Sequence, residues 1–202
     1  MHHILLMHRE LPLDASDGGA WNELITSGTK FSSQRNPHSG AIRKEQFSEA
    51  DIRGMADTFA QVTSWGPVAV DCNHGTLFGA VSAEDTKALG HISQVEVRDN
   101  PGGGLSLWGF IEWTEEGQRR VRAGEFRGFS AEIIPAAVAV DKATGKATGK
   151  PLLTGGTCTN SPFWPGLAPL AATEGREADV ALAFGCKISL LKIEGTNSYS
   201  FL

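Results

Sequence analysis

The stretch "GEFRGFSAEII", residues 124–134, sets a single hydroxyl, Ser130, among apolar and aromatic neighbours. A serine placed there is either a small filler on a strand or a nucleophile, and the second role needs a base to take its proton. The chain has six histidines. His2, His3 and His8 lie in a weakly patterned N-terminal stretch, His38 in a polar loop, and His91 at the start of a strand-like segment. His74 stands apart, because it ends the apolar run "GPVAVDCNHG", with Asp71 just upstream and Gly75 directly after it. Strand ends that lead into loops are where rigid scaffolds present reactive side chains. On spacing alone two readings stay open: structural residues satisfied by hydrogen bonds, or a nucleophile and its general base.

Two other chemistries fit less well. Gly128-Phe129-Ser130-Ala131-Glu132 lacks the second glycine of a G-x-S-x-G elbow, and the following "IIPAAVAV" reads as strand rather than helix, which argues against an α/β-hydrolase. A metal reading would use Asp71, Cys72 and His74, with His91 as a further ligand. That D-C-x-H spacing matches no familiar zinc pattern, and Cys158 and Cys186 have no neighbouring partner, so neither metal nor cofactor is expected.

The elements that must position these residues follow from pattern. "SEADIRGMADTFAQV" is the clearest helix, with Ser48 as cap, Asp51 completing a capping box, and Ile52, Met55, Phe59 and Val62 as one apolar stripe. "GHISQVEVRD", the turn "NPGGG" and "LSLWGFIEW" read as a hairpin, with Ile92 out of step with Val95 and Val97. Thr114 caps a short helix carrying Glu115 and Glu116 in its first turn and stopping at Gly124. The segment carrying Ser130 is a strand, "VDKATGKATGK" a mobile polar hairpin tip, and "PLLTGGTCTNSPFWPG" a strand breaking into a loop. Residues 1–46 read as irregular, with short strand pieces at 21–25 and 41–43.

The composition sets outer bounds. Of 202 residues, 41% are hydrophobic and 20% charged, with a net charge of −5, which suits a soluble domain and offers no basic footprint for nucleic acid. Three dispersed cysteines form no disulfide framework and point to a reducing compartment. The opening "MHHILLMHRE" is too short in apolar residues for a signal peptide, and no run approaches membrane-spanning length. The expected class is α+β and strand-rich. The expected domains are an N-terminal segment at 1–20, a main strand-rich domain at 21–170 and an alanine- and glutamate-rich tail at 171–202.

The order of "WNELITSGTKF", "GPVAVDCNHG", "GHISQVEVRDNPGGGLSLWGFIEWTEEGQRRVRAGEFRGFSAEI" and "LLTGGTCTNSPFWPG" resembles the Mu-type phage head-maturation proteases, the Mu I protein family. The resemblance covers about residues 20–170 and extends distantly to the herpesvirus assemblins. It implies a small β-barrel ringed by a few helices, Ser130 as nucleophile and His74 as base. In the related proteases the third member lies downstream of the serine, but here "LLTGGTCTN" holds neither acid nor histidine, so the resemblance leaves that member unassigned. Asp71 is preferred as the group orienting His74 and Glu132 is the alternative, with Thr157 or Asn160 as neutral orienters. Gly155 and Gly156 are candidates for the oxyanion site. The implied activity is a serine endopeptidase that cleaves scaffold and capsid-associated proteins, and its own tail, inside the immature head in the host cytoplasm. Scaffold, major capsid protein and further copies of the chain are the expected partners, without nucleic acid or membrane. The alternative is a non-catalytic head-assembly protein that keeps the protease fold.

Overall fold

The structure is a computed structural model, and it describes residues 19–35, 42–74, 86–164 and 166–172. The elements run β1 (Gly19–Thr26), β2 (Gly28–Arg35), β3 (Ile42–Phe47), α1 (Glu49–Thr63), β4 (Val68–Cys72), β5 (Gly90–Asp99), β6 (Leu105–Trp113), α2 (Glu115–Arg122), β7 (Gly128–Ile134) and β8 (Leu152–Thr159). Six strands form one sheet in the order β1-β6-β5-β4-β8-β7, while β2 and β3 form a separate hairpin. All pairs are antiparallel except β4 with β8.

The strand-rich α+β class is as expected, but the barrel is open. The sheet curls into a half-barrel with β1 and β7 as its two edges, accompanied by two helices among the described residues. Bulges at Glu23/Ile25, Ile92/Gln94 and Glu132/Ile133 each add local twist to that curl. The second explains why Ile92 falls out of step with Val95: one extra residue, Ser93, resets the alternation.

The chain after β8 bridges the two edges. Ala168 N–H donates to Glu23 Oε2 at 2.8 Å, and Leu170 N–H to the Arg127 carbonyl, just before β7, at 3.2 Å. The Asn22 side chain then clamps Ala171, accepting from its N–H at 2.7 Å and donating to its carbonyl at 3.2 Å, while Trp113 Nε1 donates to the same carbonyl at 2.9 Å.

The core lies on one face of the sheet. Val68, Val70, Ile92, Leu107, Ile111, Phe129 and Cys158 are buried there, and α1 lays Ile52, Met55, Phe59 and Val62 into the same cluster. Burying side chains of this kind stabilises by roughly 1.5–3 kcal/mol each. The expected capping box is present, with Ser48 Oγ accepting from Asp51 N–H at 3.1 Å and Asp51 Oδ2 accepting from Ser48 N–H at 2.8 Å.

Two expectations need correction. Residues 19–35 and 42–47 carry three strands rather than irregular chain with short pieces. The sequences of β2 and β3 are mostly charged and polar, so no apolar period marks them; the two strands pair with each other, and Phe47 packs on Trp164. The lysine-rich segment between β7 and β8 is also tied down. Asp141 bonds Gln61, Lys142 lies 5.0 Å from the Trp65 ring centroid, and Lys150 Nζ pairs with Asp57 at 2.8 Å. Most of the expected N-terminal segment and nearly all of the expected tail, together with His2, His3, His8, His38, Gly75 and Cys186, lie outside the described residues.

Candidate active site

Residues directly opposite on neighbouring strands share a sheet face. Phe129, Cys158 and Cys72 face one another across β7, β8 and β4 and belong to the core. The reverse face therefore carries the next register, in which Ser130 on β7 lies opposite Thr157 on β8, and Thr157 opposite Asp71 on β4. Glu132 stands on the same side of β7 as Ser130 and opposite Gly155. A second row on this face joins Ala69, His91 and Glu112 across β4, β5 and β6.

His74 enters this face from the end of β4. The Asn73 N–H extends the ladder to the Cys158 carbonyl at 3.2 Å. The backbone then turns left-handed at two consecutive residues, with φ of 53° at Asn73 and 55° at His74. Outside glycine this region is populated chiefly by asparagine, aspartate and histidine. The turn breaks strand alternation and brings the imidazole over the face that carries Ser130. His74 Nδ1 meets Glu132 Oε1 at 3.0 Å, and the His74 N–H donates to Thr157 Oγ1 at 2.9 Å. Because Thr157 is the cross-strand partner of Ser130, their Cβ atoms are separated by about 4.5–5.5 Å.

The site is sheltered without being sealed. Ser130 is 7% exposed, and the side chains of His74 and Glu132 are 22% and 14% exposed. A carboxylate accepts hydrogen bonds, so Nδ1 carries the hydrogen in this contact and Nε2 is the nitrogen left for base chemistry. The carboxylate brought to Nδ1 is that of Glu132, the alternative in the sequence reading. Asp71, the preferred candidate, is buried opposite Thr157 on the neighbouring strand. Asn160 works elsewhere, accepting from the Arg127 N–H at 3.2 Å and donating to the Glu125 carbonyl at 2.7 Å.

Gly155 and Gly156 are the residues named for the oxyanion site. They lie inside β8, with β7 on one side and β4 on the other. Their missing side chains are matched by close neighbours: a Cβ on Gly155 would stand 2.6 Å from Glu132 Oε2, and one on Gly156 would run into the Phe129 ring. A glycine pair inside a strand pattern is a readable sign of such close approach. Asn22, which clamps Ala171, carries no comparable signal.

Among the described residues no group of three or more histidine, cysteine or acidic side chains is arranged to hold a metal ion. Burial holds His91 below the ordinary imidazole range, with Glu112 pulling the other way. Burial, reinforced by neighbouring Cys72, pushes the Cys158 thiol up to about 12. No helix among the described residues is long and apolar enough to cross a membrane.

Comparison with known proteins adds one finding. No curated protein and no solved structure matches the chain, so the likeness to herpesvirus assemblins gains no support there. A family model described as the Mu-like prophage I protein, N-terminal domain, matches residues 24–171, a span that holds Ser130, His74, Glu132 and all of β4–β8. The chain belongs to the Mu-like prophage I protein family.

Proposed function

We propose that this phage-head-related protein is a serine endopeptidase in which Ser130 is the nucleophile, His74 the general base and Glu132 the acid that orients the base. The observation carrying this reading is the convergence of two separate segments, β7 and the turn after β4, on one sheet face. Ser130 and Glu132 share a side of β7, and the left-handed turn after β4 sets His74 Nδ1 3.0 Å from Glu132. A serine hydroxyl is a weak nucleophile until a base takes its proton, and an imidazole with Nδ1–H held by a carboxylate presents Nε2 in the form that can do so. Ser130 Oγ attacks the peptide carbonyl as His74 takes its proton. His74 then returns that proton to the leaving amine, and water repeats the cycle on the acyl-enzyme.

Family membership favours substrates encountered during head assembly: scaffold and capsid-associated proteins, and the chain's own segment beyond residue 172, within the prohead of the infected host. Confinement there raises effective concentration, so modest intrinsic turnover suffices. The protein works without cofactor and assembles with scaffold, capsid protein and further copies of itself.

A fluorophosphonate probe tests the reading directly. Covalent labelling of Ser130 is expected, with labelling lost in His74→Ala and scaffold cleavage lost in Ser130→Ala. Unimpaired cleavage by Ser130→Ala would remove the serine mechanism. An unlabelled, inactive wild type would leave the head-assembly protein without catalysis.

A further inference from the structure

β8 reaches the site through Thr157, which meets the base, and Gly155, which meets the acid. The main-chain ladder between β4 and β8 ends at the Asn73 N–H. The next N–H, that of His74, belongs to a residue turning away from the sheet in a left-handed conformation, which ordinary side chains avoid unless their surroundings hold them there. Thr157 supplies the missing acceptor with its side chain. Its Oγ1 takes the His74 N–H at 2.9 Å, while the hydroxyl points its own hydrogen toward the Cys158 carbonyl at 3.4 Å. Thr157 is fully buried, so water does not replace that acceptor if the hydroxyl is removed. Two residues earlier, Gly155 leaves the space in which the Glu132 carboxylate lies. A Cβ there would sit 2.6 Å from Oε2 and 3.3 Å from the Ala69 carbonyl, with backbone on one side and the carboxylate on the other.

We propose that Thr157 is a positioning residue for His74 and that Gly155 maintains the clearance for Glu132, so that β8 sets the base–acid pair without touching substrate. The proposal rests on the roles given to His74 and Glu132 above. Valine at 157 fills the same volume as threonine but offers no acceptor. The turn at Asn73–His74 then loses its anchor, and the imidazole moves relative to both Glu132 and Ser130. Misplacement of a reacting group by about 1 Å is enough for a loss on the order of 10²-fold.

The test uses the full chain with Thr157→Val, Thr157→Ser and Gly155→Ala, each checked for folding by thermal melting. Turnover is measured on a scaffold-derived peptide, and the His74 tautomer by ring nitrogen NMR on histidine-labelled protein. Thr157→Val is expected to lower kcat about 10- to 100-fold with KM nearly unchanged, and to erode the Nδ1–H tautomer. Thr157→Ser restores both, whereas Gly155→Ala disturbs the tautomer as Thr157→Val does. A folded Thr157→Val with wild-type tautomer overturns the proposal, as does a folded Thr157→Ser that is as impaired as Thr157→Val. If Thr157→Val does not fold, the serine variant decides alone, and a disturbed tautomer there refutes the role. If the wild type proves to have no turnover, the protease reading fails, and the tautomer measurement still decides whether Thr157 positions His74.

Discussion

Replacing Glu132 by glutamine removes the charge facing His74 and keeps the size of the side chain. The contact is 3.0 Å, between side chains 22% and 14% exposed. Treated as two unit charges at that separation, the attraction that stabilises an imidazolium is roughly 5.5 kcal/mol at an effective dielectric of ~20 and roughly 1.4 kcal/mol in water. With each 1.36 kcal/mol worth a factor of ten in rate, these limits bracket a loss between about 10-fold and about 10⁴-fold. The partial exposure places the expectation between them, near 10²- to 10³-fold in kcat. Loss of the aspartate from a Ser-His-Asp triad, on the order of 10⁴, marks the ceiling, because it combines charge removal with the wrong tautomer. Glutamine retains a carbonyl that can still accept from Nδ1–H, which softens the tautomer part of the loss. The assay is single-turnover cleavage of one scaffold-derived peptide by wild type, Glu132→Gln and Asp71→Asn at matched pH, with near-ultraviolet circular dichroism to check the fold. The reasoning is refuted if Glu132→Gln turns over within about threefold of wild type, or if Asp71→Asn is the slower of the two while remaining folded.

Three further outcomes follow from the same geometry. Gly156→Ala forces a Cβ into the fully buried Phe129 ring and is expected to destabilise by about 1–3 kcal/mol, read by urea denaturation; pairing it with Phe129→Leu should recover part of that loss. His91 is held below its ordinary pKa by burial, so the unfolded chain binds the proton first, and stability should fall as pH drops below about 6.5; His91→Gln should flatten that limb of a melting-temperature profile. With its thiol pushed up to about 12, Cys158 should resist iodoacetamide at pH 8 in the folded protein and react readily once the chain is unfolded in urea.

Local signals carried much of this protein. The capping box at Ser48, the stripe Ile52-Met55-Phe59-Val62, the hairpin of β5 and β6 and the helix capped by Thr114 all depend on neighbours a few residues away, so they are legible without a structure. Ser130 and His74 were legible as candidates for a similar reason: a lone hydroxyl in an apolar strand and a histidine at a strand end are local anomalies. The carboxylate that His74 meets was not. Glu132 meets His74 only because β4 and β7 lie on either side of β8 and because two left-handed residues swing the imidazole across, a contact spanning 58 positions of sequence. Asp71 is favoured in sequence because it lies near His74 and a strand end need not keep strict alternation; the register that sets Asp71 opposite Thr157 and the turn that carries His74 to Glu132 are visible only in the fold. Gly155 and Gly156 show the same division, since their lack of side chains is visible in sequence, but the carboxylate and ring that fill the space come from another strand. Cross-strand register is set jointly by bulges, burial and the curl of the whole sheet, so which side chains finally meet is a property of the folded sheet and of no single segment.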